Sequence, residues 1–179
     1  MKALLIIDMQ TGSFSSVPRL DADKVVARIN ALSSRFRNEG KPVVFIRHDG
    51  TKEAFLIPGT HDWNLLDSLV QDKTDFFVEK TANDSFYRTE LDALLKKLNV
   101  DDLFITGCAT DFCVNATVHS ALVRDYNLTI VGDAHTTADR PGLSAARLIA
   151  FHNWLWANLT PTQGRIRVLS MEEIAGVNL

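Results

Sequence analysis

Only two cysteines, five prolines and two tyrosines occur among the 179 residues of this sequence. The two cysteines, Cys108 and Cys113, lie five positions apart and neither has a distant partner. A secreted disulfide framework is therefore excluded, and a reduced cytoplasmic protein is the expectation. An excess of positive charge is also missing: 19 Lys and Arg face 22 Asp and Glu, a formal net charge of -3. That balance gives no electrostatic basis for nucleic acid or an anionic membrane as the main partner and leaves a small molecule as the expected one. No long hydrophobic run is present near the start. Ala3 to Ile7 is only five residues long, too short for a signal-peptide core or a membrane span. A Gly-x-Gly-x-x-Gly turn is absent after that run, and Thr11-Gly12-Ser13 does not replace it, which argues against dinucleotide binding. Without internal repeats, low-complexity tracts or linkers, residues 1–179 read as one domain.

What the sequence does contain is an alternation of short apolar runs with segments of helical period. Ala3–Ile7 is apolar throughout, as a strand buried on both faces should be. Val25, Ile29, Leu32 and Phe36 form a helical stripe that Gly40 can close. Further strands are predicted at Val43–Ile46, Asp75–Glu79, Leu103–Thr106, Leu128–Val131 and Ile166–Leu169. Helices are expected after Thr89 as N-cap, over Asp111–Arg124, over Leu143–Ala157 and, as a last turn, over Met171–Ala175. The apolar segment Leu148–Trp156 suits either packing on the sheet or a subunit contact. Such an order predicts an α/β protein whose parallel sheet is covered on both faces, with its chemistry outside the carboxyl ends of the strands.

Three ionisable residues fall at that edge. Asp8 follows the first strand, Lys80 the third, and Cys113 lies just beyond the fourth. Each alone has an ordinary explanation, as a turn acid, a solvated lysine or a packed cysteine. Together they can perform acyl transfer through a thioester. A cysteine attacks as its thiolate, and with a free pKa of about 8.5 it needs help near neutrality. A position in the first turn of a helix and a nearby ammonium favour the anion. Asp8 can take the thiol proton and later pass it to a leaving amine. The tight turn Gly107–Cys113 can offer backbone N–H groups to an oxyanion. A non-catalytic binding protein and a thiol redox sensor, with Cys108 as resolving partner, are the competing readings.

Leu5-Ile6-Ile7-Asp8-Met9-Gln10, Glu79-Lys80 with Asn83-Asp84-Ser85-Phe86 and Thr89-Glu90-Leu91, and Gly107–Val114 with Asp133-Ala134 carry a family resemblance. The sequence resembles the isochorismatase-like cysteine hydrolases, which include nicotinamidases and N-carbamoyl amidases. The resemblance implies a three-layer α/β/α, Rossmann-like sandwich with a six-stranded, mostly parallel sheet. It implies Cys113 as nucleophile, Asp8 as general base and acid, and Lys80 as the group that positions and polarises them. It further implies a cis peptide at Cys108-Ala109, an oxyanion hole from the N–H groups of Ala109 and Cys113, and a homo-oligomer. The metal-binding Asp-x-His pair of nicotinamidases is not reproduced by Arg47-His48-Asp49 with His61, so no metal and no cofactor is expected. Retention of Cys113 favours a carbon–nitrogen bond, amide or carbamoyl, over the enol ether of isochorismate. Phe14, His48 and Trp63 are candidates for the substrate pocket, within loops 11–19, 48–62 and 135–142 that set specificity.

Overall fold

In the computed structural model, which describes residues 1–15 and 17–179, the side chains of Ala3–Ile7 alternate between two cores. Ala3, Leu5 and Ile7 enter one, Leu4 and Ile6 the other, and all five are fully buried. A strand that needs apolar side chains on both faces can only sit inside a sheet covered on both faces.

That sheet has six strands: β1 (Lys2–Ile7), β2 (Val43–His48), β3 (Phe76–Lys80), β4 (Asp102–Cys108), β5 (Asn127–Thr136) and β6 (Ile166–Leu169). Their order is β3-β2-β1-β4-β5-β6, and every neighbouring pair is parallel. Among the described residues six α-helices occur, in chain order α1 (Thr11–Ser15), α2 (Ala22–Asn38), α3 (Leu91–Lys97), α4 (Asn115–Leu122), α5 (Ala145–Ala157) and α6 (Met171–Ala175). Helix α2 lays Val25, Val26, Ile29, Leu32 and Phe36 on one core, where Ile174 of α6 joins it. Leu91 and Leu95 of α3, Val118 and Ala121 of α4 and Trp156 of α5 fill the other. The chain winds outward from β1 to β2 and β3, then returns to the far side of β1 with β4. The resulting switch point between β1 and β4 is where open α/β sheets place their ligands.

The predicted sixth strand and last helix match the structure residue for residue, and Ser170 and Glu173 form a capping box on α6 that the sequence reading overlooked. Other boundaries move. Asp75 is drawn out of β3 into a bidentate pair with Arg37, both contacts 2.8 Å, so the strand begins at Phe76 and includes Lys80. Thr89 lies two residues before α3 and is not its N-cap residue; its oxygen still accepts from the Leu91 N–H at 3.3 Å. The helix expected over Asp111–Arg124 divides into a π-helical turn, Thr110–Val114, and α4. Helix α5 starts at Ala145, capped by Ser144. It turns Leu148, His152 and Trp156 inward while Phe151 and Trp154 stay exposed. Among the described residues no helix is long and apolar enough to cross a membrane.

At one point the sheet requires glycine. Gly107 has φ +123°, and a Cβ there would lie 2.2 Å from the carbonyl oxygen of Ile7 on the neighbouring strand. Replacing Gly107 with Ala should destabilise the protein by about 3 kcal/mol or more in urea unfolding, since rigid backbone cannot give way. Gly132→Ala, whose Cβ would meet side-chain atoms alone, the Val168 methyl at 2.9 Å and Asn153 Nδ2 at 3.3 Å, should cost distinctly less.

Candidate active site

Asp8 leaves β1 in the left-handed region, φ 48°, with its N–H donating to the Ile46 carbonyl at 3.0 Å. Strain of this kind in a non-glycine residue persists only where the surroundings over-determine it. Lys80, the last residue of β3, is paired in register with His48 at the end of β2. Strand β2 therefore separates Lys80 from Asp8, a gap of about 9.5 Å between backbones. The long lysine side chain crosses the end of β2 and places Nζ 2.7 Å from Asp8 Oδ2. Both side chains are out of solvent, at 0% and 6% exposure. Nζ also donates to the Ala82 carbonyl at 2.9 Å. Burial works against the ammonium, but the Asp8 carboxylate, joined by the Cys113 sulfur, outweighs it and holds Lys80 above its usual value. The other carboxylate oxygen of Asp8, Oδ1, is buried without a hydrogen-bond partner.

Cys113 reaches the same point from the turn after β4. Val114 N–H donates to the Ala109 carbonyl and Asn115 N–H to that of Thr110, the five-residue spacing of a π-helix. The Cys108-Ala109 peptide at the entrance of this turn is cis. Cys113 Sγ lies 3.6 Å from Asn83 Oδ1 in the loop after β3. The helix start and the ammonium expected to favour the anion are opposed here. Burial, followed by the Asp8 carboxylate, pushes the Cys113 thiol up, and the opposing pull of Lys80 does not compensate. Sequence position could suggest a helix start near an ammonium, but not how thoroughly the sulfur is desolvated. Cys108 is buried more completely and its thiol is pushed up to about 12, chiefly by that burial.

The turn that carries Cys113 is pinned from behind. Asn153 Nδ2 donates to the Gly132 carbonyl at 2.8 Å, which turns its Oδ1 toward His135 Nε2 at 2.9 Å. His135 Nε2 thus carries the proton, and Nδ1 accepts from Thr110 Oγ1 at 2.8 Å. Burial lowers the pKa of His135 to about 4, so the ring is neutral near pH 7. Trp156 Nε1 donates to Asn115 Oδ1 at 3.0 Å, tying α5 to the same segment. Beside it, Asp111 accepts from Arg140 Nε at 2.8 Å and from Thr137 Oγ1 at 2.5 Å.

Over Asp8 and Cys113 opens a cavity of about 290 Å³. Its wall includes Cys108, Ala109, Asn83, Leu56 and His48, with Arg19, Phe112 and Arg140. His48 lies in the wall as the sequence suggested. Its position is fixed by Gln10, whose side chain accepts from His48 N–H at 2.7 Å and donates to the His48 carbonyl at 3.0 Å and the Trp63 carbonyl at 2.9 Å. Phe14 and Trp63 are not in the wall. Phe14 packs on the α2 core, and Trp63 lies under the Arg47 guanidinium, 3.9 Å from ring centroid to Cζ. Of the loop 11–19, Ser16 lies outside the described residues. Arg19, Asn83 and Arg140 were not singled out in the sequence, although Asn83 lies within the lysine block and Arg19 and Arg140 within the loops 11–19 and 135–142 expected to set specificity.

Residues 2–160 match the isochorismatase domain family model. A streptothricin hydrolase from Streptomyces noursei is 36% identical over 144 residues, 79% of this chain and 56% of the relative. The chain thus spans little more than half the length of that relative. A crystal structure of an isochorismatase family protein superposes with TM-score 0.86 at 32% identity, covering 94% of this chain and 98% of that one. The crystal structure of N-carbamoylsarcosine amidase from Thermoplasma acidophilum gives TM-score 0.78 at 25% identity, covering 98% and 99%. With its family model spanning most of the chain and its six parallel strands superposing on solved members, this protein belongs to the isochorismatase family.

Proposed function

We propose that the protein is a hydrolase that cleaves a carbon–nitrogen bond, amide or carbamoyl, of a small molecule, with Cys113 as nucleophile. The observation that carries this reading is the division of labour on Asp8. Lys80 occupies Oδ2, while Oδ1 is buried, unpartnered and beside the cavity that Cys113 enters. An unsatisfied buried carboxylate oxygen costs free energy, and a proton that comes and goes during turnover explains why one is kept there. Relatives whose names describe a hydrolase and an amidase support the same chemistry.

Because the thiol is held protonated, deprotonation belongs to the attack itself. The Cys113 proton passes to Asp8 as sulfur bonds to the carbonyl carbon, and the oxygen becomes an anion facing the N–H groups of Ala109 and Cys113. Collapse breaks the carbon–nitrogen bond while Asp8 returns the proton to the leaving nitrogen, which leaves a thioester on Cys113. Water then gives a proton to Asp8 and its oxygen to the thioester carbon, and Cys113 departs with that proton. Lys80 holds Asp8 in place and favours each sulfur anion as it forms. A redox-sensing role finds less support, since burial makes Cys108 a poor partner thiol.

Replacing Cys113 with Ala or Ser should lower turnover by about ten-thousand-fold while the fold survives, read by screening amides and ureido compounds against both proteins. Full activity in either variant would end the cysteine mechanism. A second test separates Asp8 from Lys80 through the pH dependence of Cys113 alkylation. In the unmodified protein the rate should keep rising beyond about pH 9, the range of an unperturbed thiol, because the folded thiol sits above it. Asp8→Asn removes a charge that pushes the thiol up, so alkylation should shift to lower pH even as turnover collapses. Lys80→Met should shift it the other way. That variant leaves a buried carboxylate unpaired and should lose about 3–5 kcal/mol of stability in the same samples.

A further inference from the structure

We propose that Asn83 selects substrates whose scissile nitrogen carries a hydrogen, by accepting that N–H in exchange for the Cys113 thiol it holds in the free protein. The proposal rests on the reading of Cys113 as nucleophile and adds a requirement on the amide or carbamoyl group that reaches it.

Cys113 keeps its proton, because burial and the Asp8 carboxylate hold the thiol above its usual value. In the free protein Sγ donates to Asn83 Oδ1 at 3.6 Å. Asp8 Oδ1, the oxygen open to take the proton, is buried without a partner. The two observations agree: the thiol points at a neutral acceptor and away from its base. A side-chain amide accepts a hydrogen bond without removing the proton, so the attack requires the thiol to turn from Asn83 to Asp8.

The residues around Asn83 fix it over the sulfur. The Ala82 carbonyl accepts from Lys80 Nζ at 2.9 Å. Asp84 accepts from Phe86 N–H and from Ser120 Oγ, both at 2.8 Å. Ser85 Oγ and Thr117 Oγ1 lie 2.8 Å apart. Between these anchors Asn83 is exposed and lines the cavity, and among the described residues the thiol is the one hydrogen-bond partner of its side chain. A side chain that served the loop would be bonded to the loop; this one is turned to the sulfur.

A thiol is a weak donor and an amide N–H a strong one, so a bound amide displaces the thiol from Oδ1. The leaving nitrogen is one bond away from the carbon that sulfur attacks, within reach of an acceptor 3.6 Å from Sγ. The exchange frees the thiol for Asp8 Oδ1, and it leaves the nitrogen lone pair open to the proton that Asp8 returns. A fully substituted nitrogen has no hydrogen to offer and leaves the thiol on Asn83.

Iodoacetamide and N,N-dimethyl-2-iodoacetamide differ in that N–H. Each forms a carbon–sulfur bond, releases iodide and gives up the thiol proton to Asp8 or water. The ratio of their rates at Cys113, read by peptide mass spectrometry, should exceed that of free glutathione by about fivefold, the worth of one net hydrogen bond. Asn83→Ala should return the ratio to the glutathione value, and Asn83→Asp, which keeps the acceptor, should retain the preference. A ratio equal to that of glutathione would overturn the proposal. So would one that Asn83→Ala leaves unchanged, since the methyl groups would then merely clash with the wall. Infrared spectroscopy of the S–H stretch reads the free protein without any reagent. The Cys113 band, identified as the one lost in Cys113→Ala, should move in Asn83→Ala; a band that stays in place would mean that the thiol points elsewhere and would overturn the exchange. An Asn83-dependent ratio together with turnover that survives Cys113→Ala would instead remove the nucleophile reading alone.

Discussion

A buried ion pair organises the site. Lys80 and Asp8 stand on strands separated by a third, and each is shielded from water. Desolvating two charges costs several kcal/mol per ion, so such a pair is a poor source of stability and is retained for what it does. Here it fixes one carboxylate oxygen and leaves the other open. The register of β3 against β2 brings Lys80 level with His48, and the bond from Asp8 N–H to Ile46 fixes Asp8 beside it. The left-handed backbone at Asp8 and the glycine at 107, pressed against Ile7, belong to the same rim of the sheet.

Behind the rim a second network holds the turn that carries Cys113. Hydrogen bonds run from Thr110 through His135 and Asn153 to the Gly132 carbonyl. Each member has a fixed role as donor or acceptor, because the amide of Asn153 sets the tautomer of His135. The cavity therefore has support assembled from strand ends and a tied turn, while Arg19, Leu56 and Arg140 of its lining come from loops. Rigid support for reacting groups with variable surroundings is what a family of hydrolases with different substrates requires.

Much of this was legible beforehand because burial on both faces writes itself as continuous apolar runs. Ile166–Leu169 and Met171–Ala175 were placed to the residue, and Asp8, Lys80 and Cys113 were placed at one edge by topology alone. Boundaries slipped where a side chain overrode the local pattern, as when Arg37 drew Asp75 away from β3. Two properties had no local signature. The upward shift of the Cys113 thiol comes from atoms far away in sequence, and the assignment of Phe14 and Trp63 to the pocket failed because loop paths carry no periodicity.

The π-helical turn at Thr110–Val114 bears on how this protein can change over evolutionary time. A π-turn holds one more residue than the α-helical turn it replaces, and in an α-helix each residue advances the direction of a side chain by about 100°. Deleting any single residue there would let the backbone relax into an ordinary helix and swing the sulfur out of line with Asp8. The placement of Cys113 against Asp8 thus depends at this point on a count of residues as well as on their identities.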